Sequence, residues 1–279
     1  MSRVLHCGRF RLTLDRPRLM GILNLTPDSF SDGGLWQDPA RALDHARQMI
    51  SDGADLIDLG AESTRPGAPE VPATEELKRL RPVLETLLDC GVPISVDTRK
   101  PEVMREVIAM GADLLNDVSG FTDPEAVDAV RGSQAALCVM HMQGNPGTMQ
   151  RAPQYADVLS EVGGFLAAQQ TLLESAGISP DRIVLDPGIG FGKTLEHNLL
   201  LLRHLEGLRV GQGALLVGLS RKSMLQALTG QPVTERLAGS LGGALAARMQ
   251  GADLLRVHDV RATRDALRVF DAITQRDLP

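Results

Sequence analysis

Three copies of one tetrapeptide do most to restrict what this chain can fold into. Gly-Ala-Asp-Leu occurs at 53–56, 111–114 and 251–254. Each copy follows a helical pattern and precedes a short apolar run. A glycine can take the left-handed conformation that ends a helix, and the chain then turns straight into a strand. The copies belong to a longer alternation. Strands are expected at 19–25, 55–60, 93–97, 113–116, 136–141, 182–186, 214–220 and 253–258, with helical patterns such as 39–51, 74–90 and 237–250 between them. Runs such as IVLD and ALLVGL are apolar on both faces, as in a parallel sheet covered by helices. About eight strand–helix alternations predict an α/β fold, a (β/α)8 (TIM) barrel. An open doubly wound sheet is the rival. It usually carries a glycine-rich fingerprint after its first strand, where this chain has Asn-Leu-Thr-Pro-Asp.

Residues 1–18 fall outside the repeat. VLHC and RFRLTL flank Gly8 and read as a hairpin, which in a barrel would plug the N-terminal end of the strands. No linker divides the chain, so one domain is expected over 1–279, with the hairpin at 1–18 and the barrel at 19–279.

Composition narrows the function. A net charge of −6 and 3% aromatic residues, with Trp36 and Tyr155 the single Trp and Tyr, argue against a nucleic-acid partner. No apolar run approaches the roughly 20 residues of a membrane helix, and the first residues lack the pattern of a signal peptide. Cys7, Cys90 and Cys138 are far apart and odd in number, which argues against a disulfide framework or a thiolate metal site. A cytoplasmic protein with free thiols is expected.

What ends each strand is more informative. The ends are Asn24, then Glu62-Ser63-Thr64-Arg65-Pro66-Gly67, then Asp97, Asn116, His141, Asp186, Ser220-Arg221-Lys222-Ser223, and Arg256 with His258. Any one Asp, Asn or Ser here is an ordinary helix cap, but capping does not call for Arg, Lys and His at these places. In a barrel all these ends meet at one mouth. Asp97, Asn116 and Asp186 offer acceptors to a ligand with several N–H donors in one plane, and Lys222 adds a donor for a carbonyl or ring nitrogen. Arg65, Arg256 and His258, with Ser63 and Thr64, suit a polyanion. Asn24 offers a hard oxygen to Mg2+, which also takes waters and substrate phosphates. The mouth therefore reads as a site for a donor-rich heterocycle carrying a phosphate or diphosphate. Two loops, 26–34 and 61–69, have the composition of lids. Phe30 would cover a flat substrate, and Asp32 would place negative charge near a developing cation.

The segments MGILNLTPDSFSDGG (20–34), DLGAESTRPG (58–67), SVDTRKP (95–101), NDVSG (116–120), VMHMQGNPGTMQ (139–150), DPGIGFGKT (186–194), GLSRKSML (218–225) and RVHDV (256–260) resemble, in order, those of the dihydropteroate synthase family. Leu25 and Ala61 stand where that family often has Val and Gly, and Asn145 varies the fifth-strand loop; no polar function is removed. The resemblance implies a transferase of a pterinylmethyl group. It would condense 6-hydroxymethyl-7,8-dihydropterin diphosphate with 4-aminobenzoate, giving 7,8-dihydropteroate and diphosphate in folate synthesis. It implies a homodimer, Mg2+ bound at Asn24, and pterin held by Asp97, Asn116, Asp186 and Lys222, with Met140 and Phe191 against the ring. Arg256 would stack on the ring and, with His258, reach the diphosphate, which Asn24, Thr64 and Arg65 also serve. Phe30, Pro66 and Ser223 would line the 4-aminobenzoate pocket, with Ser223 and its helix start near the carboxylate. The anion set stabilises the leaving diphosphate and Asp97 the cationic pterin, so an SN1-like displacement follows, with Asp97, Lys222 and Asp32 as the catalytic groups. Two other readings share the pterin set: a pterin-dependent methyltransferase, which needs no diphosphate ligands, and a non-catalytic pterin-binding paralogue, which needs no intact loops.

Overall fold

A computed structural model describes residues 3–26, 39–64 and 67–274. A hairpin of β1 (Val4–Cys7) and β2 (Phe10–Thr13) comes first. Eight parallel strands follow: β3 (Arg18–Asn24), β4 (Leu56–Gly60), β5 (Ile94–Asp97), β6 (Leu114–Asp117), β7 (Ala136–Met140), β8 (Ile183–Asp186), β9 (Ala214–Val217) and β10 (Leu254–Val257). They pair in sequence order and β10 closes against β3, so the sheet is the expected barrel. The strands β7 and β9 stop short of the expected 141 and 220. The residues from Gly218 to Ser220 begin a loop of the mouth, while His141 keeps one last bond to β8, its N–H donating to the Asp186 carbonyl at 3.0 Å. Among the described residues, no helix is long and apolar enough to cross a membrane.

Successive strand residues point to opposite faces, and this parity sorts the chain into three environments. Leu19, Leu23, Ile57, Leu59, Val96, Leu115, Val139, Leu185 and Leu255 face the helices in the outer core. Met20, Leu56, Leu114, Cys138, Val184, Leu216 and Leu254 face the axis and form an inner cluster of their own. Leu5 and Cys7 of β1 complete that cluster, so the hairpin caps the lower end of the barrel. Two residues further along β4, β6, β8 and β10 the inward position turns polar. Asp58, Asn116, Asp186 and Arg256 occupy it, with Ser95 and Asp97 both on the inner face of β5.

The repeated tetrapeptide does more than stop helices. Gly53, Gly111 and Gly251 have φ of 102°, 111° and 89°, the left-handed turn expected of them. The aspartate two residues on then takes the backbone N–H that opens a neighbouring strand. Asp55 accepts from Leu19 at 2.9 Å, Asp113 from Ile94 at 3.0 Å and Asp253 from Leu215 at 2.8 Å. Each carboxylate also holds arginine. Asp55 pairs with Arg16 and Arg18, Asp113 with Arg9, and Asp253 with Arg3 and Arg209. Four of these five arginines lie in or beside the hairpin, so the motif that sets up the strands also clamps the cap to them. Gly8, at φ 55°, brings the hairpin turn so close that a Cβ would lie 2.4 Å from Asp113 Oδ1.

Asp113 is 1% exposed, so Asp113→Ala strands a strand N–H and an arginine together and should cost about 3 kcal/mol. Arg9 is half exposed, and Arg9→Gln should cost at most about 1 kcal/mol. Urea unfolding of both variants checks this, and equal losses would contradict the assignment of Asp113 as the anchor.

Candidate active site

A cavity of about 490 Å3 opens at the C-terminal ends of the strands. Asn24, Thr64, Asp97, Phe191, Lys222, Ser223, Arg256 and His258 all line it, so eight residues read from the sequence as one site do meet. Asn116, Met140 and Asp186 lie at the ends of β6, β7 and β8, each under 7% exposed. In register, Asp97 sits opposite Asn116 and Met140 opposite Asp186, so the barrel sets these groups side by side. Phe30, Asp32, Arg65 and Pro66 fall outside the described residues.

The acids and bases are not in separate halves, as the sequence reading had divided them. Arg256, read there with the anion binders, donates from Nε to Asp58 Oδ2 at 2.6 Å and from Nη2 to Asp97 Oδ2 at 3.0 Å. Asp58 is fully buried and also accepts from Ser95 Oγ at 2.5 Å and from Asn116 Nδ2 at 3.4 Å. Asp58 lies inside β4 rather than at its end, so the pattern of polar strand ends does not include it. The available signal was a charged residue inside the apolar strand LIDLG, on the same parity as the inward Leu56.

Loss of water around Asp97 raises its pKa to about 8; Arg256 pulls it back and Asp58 pushes it further up. Asp186 is raised by burial too, against the pull of Lys222 and of the Gly188 N–H that it accepts at 2.7 Å. Burial lowers Lys222 to about 8, with Asp186 opposing. Burial also works against the charge of Arg256, but Asp58 and Asp97 more than offset it and hold the guanidinium protonated.

The loop after β8 is pinned from several sides. Gly188 (φ 68°) passes so close under β7 that a Cβ would sit 1.9 Å from the His141 carbonyl oxygen. Only glycine fits there. Lys193, also unread in the sequence, is 3% exposed; its Nζ lies 3.0 Å from His141 Nδ1 and donates to the carbonyls of His141 and Phe191 at 3.2 and 3.0 Å. Burial lowers Lys193 to about 7 and, with Lys193 beside it, His141 to about 3, so His141 is neutral. Tyr155 donates to the Gly192 carbonyl at 2.8 Å. The loop presents Phe191 with Lys222 Nζ 4.4 Å from its ring centroid, and the same Nζ donates to the Ile189 carbonyl. Across the cavity, His258 Nδ1 lies 3.1 Å from Ser220 Oγ, and Arg221 is bonded to Asp259 at 2.6 Å. Among the described residues, no group of three or more His, Cys, Asp and Glu could hold a metal. Asn24, at the mouth and bordered by side-chain-free Gly60, offers a single neutral oxygen. Such a donor fits a hard cation shared with a ligand's own phosphates rather than one caged by protein.

A closed barrel whose mouth offers buried acceptors to a flat, donor-rich ring and cations to an anionic tail defines a class of enzyme, and the family model described as pterin binding enzyme matches residues 20–258. The chain is 49% identical over 277 residues to the dihydropteroate synthase of Neisseria meningitidis serogroup B, covering 97% of each. It resembles the solved structure of Burkholderia cenocepacia dihydropteroate synthase complexed with 7,8-dihydropteroate, with a TM-score of 0.89, 49% identity and coverage of 98% of this chain and 96% of that one. It also resembles Xanthomonas albilineans dihydropteroate synthase with 4-aminobenzoic acid, with a TM-score of 0.91, 47% identity and full coverage of both. The chain belongs to the dihydropteroate synthase family.

The raised pKa of Asp97 has a sign that can be measured. Its folded value lies above the unfolded one, so its contribution to stability is complete below the ordinary carboxylate range and is lost as pH rises toward about 8. Asp97→Asn removes that loss. The melting temperature of the variant minus that of the wild type should therefore climb as pH rises from roughly 5 to 9. A flat or falling difference would show that Asp97 titrates in the ordinary range.

Proposed function

We propose that this chain condenses 6-hydroxymethyl-7,8-dihydropterin diphosphate with 4-aminobenzoate, releasing diphosphate and forming 7,8-dihydropteroate for folate synthesis. One observation carries the reading: Asp97, Lys222 and Arg256 line one cavity, with the buried acceptors Asn116 and Asp186 at neighbouring strand ends, as a ring rich in donors with an anionic tail requires. The Burkholderia and Xanthomonas relatives, complexed with 7,8-dihydropteroate and with 4-aminobenzoic acid, support the same chemistry for this chain.

In this reading Asp97, Asn116 and Asp186 accept the N–H groups of the pterin, and Lys222 donates to a ring carbonyl or nitrogen. Met140 and Phe191 bound the ring. Arg256 covers the ring face and, with His258, Thr64 and Arg65, holds the diphosphate. The methylene carbon–oxygen bond breaks first, its electron pair leaving with the diphosphate, and the ring system takes up the positive charge. Asp97, and Asp32 in the first loop, stabilise that cation. The arylamine nitrogen of 4-aminobenzoate, whose pocket Phe30, Pro66 and Ser223 line with Ser223 near the carboxylate, then forms the new C–N bond and gives up a proton. Asn24 would be the protein's ligand to Mg2+, which when bound neutralises diphosphate charge. The exposed apolar side chains Leu228, Leu237, Met249 and Val269 support assembly as a homodimer. The buried free thiols of Cys7 and Cys138 suit the reducing cytoplasm.

Purified protein with Mg2+, the pterin diphosphate and 4-aminobenzoate should give dihydropteroate and diphosphate in equal amounts; binding of the pterin without turnover would overturn the reading. Asp97→Asn should cut kcat by about 100-fold or more while inorganic diphosphate binds within about threefold of wild type. Full turnover by that variant would remove Asp97 from the mechanism.

A further inference from the structure

The pair of Arg256 and Asp97 poses a problem for any substrate that needs both groups. Arg256 spends Nη2 on Asp97, and Asp97 spends Oδ2 on Arg256. If the pterin draws on Asp97 and lies under Arg256, that contact must loosen. A guanidinium left without a counter-charge in a water-poor recess is costly. The barrel has a second carboxylate for it. Asp58 lies on β4 opposite Ser95, one inward layer below Asp97, which is opposite Gly60. It has no exposed surface, so it does not meet a ligand. Its oxygens are taken by Ser95 on one side and by Asn116 and Arg256 on the other, and the Arg256 contact, at 2.6 Å, is the shorter of the guanidinium's two carboxylate bonds. Asp97, by contrast, keeps 11% of its side chain open to the cavity.

We infer that Asp58 is a positioning residue of this active site: it holds the guanidinium of Arg256 in place and compensates its charge, so that Asp97 can be handed from Arg256 to the incoming ring. The inference rests on the reaction proposed above. Arg256 bridges two acids on neighbouring strands. On binding, the N–H donors of the ring replace the Nη2 donor at Asp97, while the Nε contact to Asp58 persists and fixes the plane of the guanidinium. Ser95 and Asn116 fix Asp58 in turn, so the neighbours Asn116 and Arg256 are set against each other by one buried carboxylate that never touches substrate.

A double-mutant cycle separates this role from mere support of the core. Asp58→Asn keeps the shape and removes the charge. It should lower kcat/KM for the pterin diphosphate by about 100-fold in the wild-type background. In the Arg256→Gln background the same change should cost less than about threefold, because the group it acts through is gone. A core-packing role would give the same factor in both backgrounds and would overturn the inference. Ser95→Ala offers a milder version should Asp58→Asn fail to fold. It removes one bond to Asp58 and leaves Arg256 untouched, and should cost about fivefold with Arg256 present and nothing measurable with Gln at that position. Equal losses in the two backgrounds would again count against Asp58. If the unaltered chain makes no dihydropteroate, the proposed reaction fails; if it is active and the cycles are additive, the reaction stands and the role of Asp58 fails.

Discussion

A guanidinium taken out of water costs several kcal/mol unless carboxylates lie within bonding distance of it. Much of this barrel's upper half follows from meeting that condition for Arg256. The group enters from β10 and finds its partners on β4 and β5, across the interior. Strands that close into a cylinder can supply them because every second side chain points at the axis. Two layers of that interior have opposite characters. Leu56, Leu114, Val184 and Leu254 pack below as hydrocarbon, closed off by the hairpin, while Asp58, Asn116, Asp186 and Arg256 stand above at the next inward positions. The lower layer gives the polar layer a rigid floor, and the polar layer gives the cavity its charge.

The alternation of elements was open to reading in the amino-acid order because glycine stops and apolar runs are local physics. The same holds for the polar strand ends, whose convergence follows from barrel closure alone. What escaped reading were residues whose meaning depends on a partner distant in sequence. Asp58 sits mid-strand and takes its role from Arg256, 198 positions away. Lys193 sits in a glycine-rich loop and takes its role from His141, just past the end of β7. The aspartates of the repeated tetrapeptide looked like parts of a turn. Their second task, accepting an N–H near the start of a neighbouring strand and holding the arginines of the hairpin, appears only once the strands are side by side. Parity along β4 would have exposed Asp58, since an inward charge in a closed barrel demands a counter-charge; nothing in the local pattern around Lys193 would have done the same.

The two flanks of the cavity are built differently. On the β8 side, Gly188 lies against the His141 carbonyl, Lys193 ties that strand end to the Phe191 carbonyl, and Tyr155 holds Gly192. A wall fixed by that many independent contacts keeps Phe191 and Asp186 where a flat ring would need them, so little ordering cost falls on binding there. Glu62, at the foot of the loop after β4, is held by Lys100 and Arg99, whose other bonds go to Glu76 and Glu70. The first flank is thus fixed mainly by backbone contacts and the second by ion pairs between side chains.

The site balances its own charges. Asp58, Asp97 and Asp186 face Arg256, Lys222 and Lys193, and the shifted pKa values of Asp97 and Lys222, both near 8, record how poorly water serves either sign. A ligand cannot gain by neutralising one sign alone, because it would leave the other unpaired in the same recess. A ring with several N–H donors takes over the acids, and a polyanion attached to it takes over the bases. A molecule carrying both can replace the Arg256–Asp97 contact while the Arg256–Asp58 pair stays in place.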